Sequence, residues 1–116
     1  MSAQHRGLAA GRWHTFPLVV QLANVGSEVE RALAWREKNN PEYSRRALDR
    51  ALELLWLTID DPRHRQRLTE LTRLREALLD YFLGDNLFGS TDRSWRKYFY
   101  GFGHAAAVLR QASRQP

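Results

Sequence analysis

The sequence predicts an all-α fold, an antiparallel up-down-up-down four-helix bundle. Three observations carry that expectation. Apolar residues recur at helical spacing in four segments of similar length, the links between those segments are short, and no segment alternates as a strand does.

The clearest segment is PEYSRRALDRALELLWLTIDDP, residues 41–62. Asn40 can cap the free N–H groups, and Pro41 suits the first helical position because its missing N–H costs nothing there. Asp60-Asp61-Pro62 closes this helix and opens the next, since a residue before proline is pushed out of the α region. Ala47, Ala51, Leu54, Leu55 and Thr58 form one stripe at 100° per residue, and Leu48, Leu52 and Ile59 widen it. A face that broad needs neighbours on two sides.

The first helix is expected to start from a Thr15 cap, run through Phe16-Pro17 and end near Lys38. Its inner stripe is Leu18, Leu22, Val25, Val29, Ala32 and Leu33. Gly26, at the stripe's edge, costs about 1 kcal/mol against alanine but lets a neighbouring helix come close. Asn39-Asn40-Pro41 is the turn. The third helix spans Pro62 to about Leu83, with Leu68, Leu71, Leu74, Leu78, Leu79 and Phe82 inward and Gly84 as a left-handed cap. The longest link, Asp85 to Ser90, leads to a fourth helix capped by Ser90 or Thr91. That helix presents Trp95, Tyr98, Phe99, Phe102, Ala106 and Leu109 inward, and Gly101 and Gly103 weaken it locally.

The expected organisation is a loose arm over residues 1–14, one domain over 15–112 and a frayed end over 113–116. At 116 residues the chain can bury roughly two-thirds of its unfolded surface. The absence of cysteine removes disulfides, zinc-thiolate sites and thiol chemistry. No apolar run approaches the ~18 residues of a membrane span, and the start does not read as a signal peptide, so the expected location is cytoplasmic with no membrane contact. The net charge is +5, and 16 of the 18 basic residues are arginine. That balance favours acidic partners, but the cations are spread out, without the dense run of a nucleic-acid tail.

Few motifs carry chemistry. GDNLFGST, residues 84–91, has the glycine spacing of a phosphate loop, but Ser90 stands where the lysine belongs and a helix precedes it instead of a strand. Asp61-Pro62-Arg63-His64 has the spacing of a bundle metal motif across a helix start, and it stands alone. No cofactor, metal site or catalytic constellation is expected, and the chain does not read as an enzyme. His104 falls on the outer face of the fourth helix beside Lys97 and Tyr100. Arg75 falls within the apolar face of the third helix. It must reach water or meet a carboxylate, with Glu28, Glu30, Asp49 and the Tyr98 hydroxyl as candidate partners and a ligand-binding role as the alternative. Arg36 poses the same question nearer a helix end. Val20 and Trp35 on the first helix, with Trp56 and Leu57 on the second, lie off the core faces. They point to a homodimer interface or to coverage by the N-terminal arm. Arg93, Arg96 and Lys97 alternate with Trp95, Tyr98 and Tyr100. Helical spacing takes all these rings inside except Tyr100, so nucleic-acid binding there is possible but not favoured.

The segments LANVGSEVERALAWREKNNPEYSRRALDRALELLWLTI, LREALLDYFLGDN and KYFYGF resemble a family of short bacterial all-helical proteins that carry them in this order. The resemblance covers roughly residues 18–102, implies a helical fold and brings no activity with it. At the level of size and helix order the chain also resembles HEPN-type bundles, which include dimeric, substrate-binding-like partners of minimal nucleotidyltransferases. Nuclease members of that group leave four to six residues between an arginine and a following histidine. Here Arg73 and Arg75 are followed by Leu78-Leu79-Asp80-Tyr81-Phe82, without histidine. Six residues separate Lys97 from His104, but Lys97 is no arginine, and seven separate Arg96 from it, one too many.

Three readings follow. The first is a non-catalytic, dimeric helical module that docks another protein, with a nucleotidyltransferase as the partner the resemblance implies. The second is a basic nucleic-acid-binding module using Arg93, Arg96, Lys97 and Tyr100. The third is a degenerate nucleotide-binding or nuclease-like protein built around Arg73, Arg75 and Asp80.

Overall fold

The computed structural model describes residues 10–114, and these are all-α, with no strand among them. The helices are α1 (Ala10–Trp13), α2 (Leu18–Glu37), α3 (Pro41–Ile59), α4 (Leu68–Leu83) and α5 (Asp92–Arg114). A 3-10 segment, Pro62–Arg67, stands between α3 and α4. No helix among the described residues is long and apolar enough to cross a membrane.

α3 begins and ends where its caps require. Asn40 Oδ1 accepts the Tyr43 N–H at 3.0 Å, and Pro41 opens the helix. Ala47, Leu48, Ala51, Leu54, Leu55 and Thr58 are all buried. α2 packs along α3 on one side and along α5 on the other, while α4 leans on α3. One core joins Leu22, Val25, Val29 and Leu33 of α2, Leu55 of α3, Leu71 and Leu78 of α4, and Trp95 and Phe99 of α5. Gly26 permits the α2–α5 contact, since a Cβ there would stand 2.7 Å from Phe99 Cβ.

Several sequence expectations are corrected. Thr15 does not cap α2, because its hydroxyl donates to the Arg12 carbonyl at 2.6 Å and closes α1. The extended Pro17 precedes α2 instead. The loose arm does not reach His14: Trp13 is buried, and its indole N–H donates to Thr58 Oγ1 at 3.1 Å. The remainder of the expected arm, residues 1–9, lies outside the described residues. The third predicted helix is broken, with a 3-10 segment up to Arg67 and non-helical geometry at His64. Gly84 is extended rather than left-handed, and Leu68, Tyr98 and Leu109 are exposed rather than inward. α5 runs through Arg114, past the predicted start of fraying, and residues 115–116 lie outside the described set.

Candidate functional site

An open apolar surface lies between α4 and α5, which are pinned together at one end. Asp92 opens α5, and its Oδ1 accepts the Arg36 guanidinium at 2.9 Å and the Tyr81 hydroxyl. The Arg36 guanidinium also lies 4.7 Å from the centroid of the Tyr81 ring and 5.0 Å from that of Phe82. Burial pushes the Tyr81 phenol up, and its hydrogen bond to Asp92 adds to that. The charge on Arg36 is thus met by a carboxylate and two ring faces, which ties α2, α4 and α5 at this end.

Away from this tie the two helices part, because α4 rests on α3 and α5 on α2. The gap is a cleft of about 550 Å³ lined by Leu74 and Ala77 of α4 and by Trp95 and Tyr98 of α5. Thr69, Glu70 and Arg73 stand at its rim. Along α5 the apolar edge continues through Phe102, Ala105 and Leu109, which share a flank with Tyr98 at spacings of four, three and four residues. Tyr98 is 38% exposed and Leu109 43%. Burial also pushes the Tyr98 phenol up, helped by the nearby Glu70 carboxylate. The Trp95 indole N–H is buried without a hydrogen-bond partner among the described residues, which leaves an unmet donor beside the cleft.

The residues singled out in the sequence fall into different places. Arg75 is exposed and makes no ion pair among the described residues, so the expected buried pair is corrected. The reason is that α4 lies at the edge of the core and buries only Leu71, Leu74 and Leu78, which leaves Arg75 in water. Glu28 instead holds Arg50 at 2.8 Å and Arg31, while Glu30 holds Arg96 at 2.9 Å and Asp49 holds Arg45 at 3.0 Å. Arg73 stands exposed at the cleft rim. Asp80 is a loop anchor, its carboxylate accepting the N–H groups of Leu87 and Phe88 at 2.7 and 3.1 Å. Arg73, Arg75 and Asp80 therefore do not converge on one centre. The same anchor explains GDNLFGST: it is a loop folded onto the end of α4, with Asn86 Oδ1 accepting the Ser90 N–H and Thr91 capping α5 through the Ser94 N–H.

Of the four candidate interface residues, Leu57 is buried in the core cluster that also holds Trp13 of α1, so its placement off the core is corrected. Val20 and Trp35 are half-buried, Trp35 packing edge-on against Tyr43 at 4.9 Å, and only Trp56 is exposed. On α5, Arg93 and Lys97 are exposed, whereas Arg96 reaches back to Glu30 and Glu37, which hold its proton more tightly. Tyr100 is 74% exposed, and its ring lies parallel to that of His104.

One polar cluster was missed by the sequence reading. Gln21, Asp61 and His64 are buried together where α1, α2 and the 3-10 segment meet. The Gln21 amide donates to the Trp13 carbonyl at 2.8 Å and to Asp61 Oδ2 at 3.3 Å, so its oxygen faces His64 Nε2 at 2.7 Å. That arrangement requires the proton of the neutral ring to sit on Nε2. Asp61 also accepts the Arg63 backbone and guanidinium N–H groups. The available signal was Gln21 itself, a polar residue four positions before Val25 on the inner stripe. Both Asp61 and Gln21 are sealed from water, so the cluster fastens the chain and offers no room for a substrate. Among the described residues no group of three or more His, Cys, Asp or Glu is placed to hold a metal ion.

No family model matches the chain, and neither a curated protein nor a solved structure matches it.

Proposed function

We propose that the protein is a non-catalytic interaction module of the cytoplasm, an up-down-up-down bundle of α2 to α5 whose open α4–α5 seam is where two copies meet. The observation that carries this reading is the cleft of about 550 Å³ at Leu74, Ala77, Trp95 and Tyr98, extended by Phe102 and Leu109. An exposed apolar strip of this kind is costly in water and gains from being covered. A two-fold interface sets one patch against itself, and a rim carrying both Glu70 and Arg73 is self-complementary in charge. The dimer is in turn the platform for a second protein, and the HEPN-type resemblance points to a minimal nucleotidyltransferase in that role. A non-catalytic reading fits the scattering of Arg73, Arg75 and Asp80 and the burial of His64.

The test is the mass in solution by light scattering. The native chain is expected at twice its chain mass at micromolar concentration. Tyr98→Asp combined with Leu109→Asp is expected to return it to a single chain with unchanged helical circular dichroism. A native monomer at tens of micromolar, or a dimer indifferent to both changes, contradicts the reading.

A further inference from the structure

We propose that the outward face of α5 binds single-stranded nucleic acid, with bases stacking at the Tyr100–His104 ring pair and phosphates held by Arg93 and Lys97. Arg93, Lys97, Tyr100, His104 and Gln111 follow one another at spacings of four, three, four and seven residues, which makes them a single stripe along the helix. The stripe points away from Phe99 and Ala106, the buried residues that face α2, and all five members are exposed. The rings of Tyr100 and His104 lie 13° from parallel with centroids 6.3 Å apart. Two near-parallel aromatic rings, one turn apart and in water, offer their faces to planar partners, and every base has a planar face.

The charge around them selects a polyanion. α5 carries Arg93, Arg96, Lys97, Arg110 and Arg114 against one carboxylate, Asp92. Asp92 is already engaged by Arg36 and Tyr81. On the facing flank of α2, Glu30 and Glu37 both bind Arg96. Arg93 and Lys97 make no ion pair among the described residues, so their charge is available to phosphate. A duplex hides its base faces and would gain the cations alone, whereas a single strand uses both cations and rings. The stripe lies on the far side of α5 from Tyr98, Phe102 and Leu109, so this site does not depend on the dimer seam.

The experiment is fluorescence anisotropy of a labelled, mixed-sequence single-stranded DNA oligonucleotide, titrated with the full chain at several salt concentrations. The native chain is expected to bind at low salt and to weaken steeply as salt rises. Tyr100→Ala is expected to weaken binding about tenfold, the effect of losing one stacked base. Lys97→Glu is expected to weaken it further and to reduce the slope of log affinity against log salt by about 0.7, one phosphate contact on a single strand. Arg75→Glu makes the same change in net charge on α4 and is expected to leave binding close to native. Lys97→Gln gives the same readout without a reversed charge if the glutamate perturbs the helix. Any of three results overturns the proposal: no binding at low salt, equal damage from Arg75→Glu and Lys97→Glu, or an indifferent Tyr100→Ala together with equal binding of the matching duplex.

Discussion

Gly26→Ala is expected to destabilise the protein, while the same substitution at Gly101 is expected to stabilise it. Both glycines lie inside helices, so alanine gains about 0.5–1 kcal/mol of helix propensity at either site. The surroundings differ. At Gly101 nothing lies within 4 Å of the new Cβ, so the propensity gain is kept whole. At Gly26 the new Cβ would stand 2.7 Å from Phe99 Cβ and Cδ1 and 2.8 Å from Cγ. Phe99 Cβ is fixed to the backbone of α5 and cannot swing aside as the tip of a long side chain would. Either α5 shifts as a body or the contact strains, at a cost of about 1–3 kcal/mol. The clash outweighs the propensity, and Gly26→Val deepens it. Urea unfolding followed by circular dichroism reads both signs. A stabilised Gly26→Ala would mean that α5 is not held against α2 as described.

Loss of the Asp61 carboxylate is expected to cost about 1.5–5 kcal/mol, and the cluster around it makes the protein sensitive to acid. Asp61→Ala removes the cap of the 3-10 segment, about 0.5–2 kcal/mol. It also leaves one N–H of the buried Gln21 amide without its acceptor, about 1–3 kcal/mol more. The acid response has two limbs. Burial pushes the His64 ring below its ordinary 6.5, against a partial pull upward from Asp61 and with added downward pressure from Arg63, His14 and Arg67. The unfolded chain therefore takes up a proton near pH 6.5 that the folded chain resists. Stability is complete above that pH and declines below it. Asp61 is held well below its ordinary 3.8, chiefly by the hydrogen bonds from the Arg63 side chain. Its contribution is complete above about pH 4 and is lost as the pH falls further. Asp61→Asn is expected to remove the lower limb from a plot of stability against pH. A plot that rises on acidification from pH 7 to 5 would contradict the assignment of a neutral His64.

What the sequence makes legible here is local chemistry. Both ends of α3 are marked by side chains that act on their own backbone, Asn40 at the start and Asp61 just beyond the end, and the structure places both as read. Gly26 was equally legible, because only a close neighbour explains a glycine at the edge of an apolar stripe. The misreadings share one cause. A helical wheel gives the width of an apolar face but not what lies across from it. The wheel sets Arg75 within an apolar face, where it must reach water or meet a carboxylate, and because one flank of α4 is bare it reaches water. Leu57 reads as outside in the sequence, because nothing local reveals that Trp13 reaches Thr58 at the end of α3. Tyr98 and Leu109 read as core in the sequence, because apolar residues on an open flank have the same periodicity as those in an interior.

The seam is tested most directly by proximity between copies. The native chain has no cysteine, so a single one can be introduced without a background reaction. Ala105→Cys, on the seam, and Arg45→Cys, on the exposed side of α3, are each treated with a short bismaleimide at micromolar protein. The account predicts a covalent dimer from Ala105→Cys and little from Arg45→Cys. Crosslinking that favours Arg45→Cys, or an Ala105→Cys chain that reacts fully yet stays single, would contradict it.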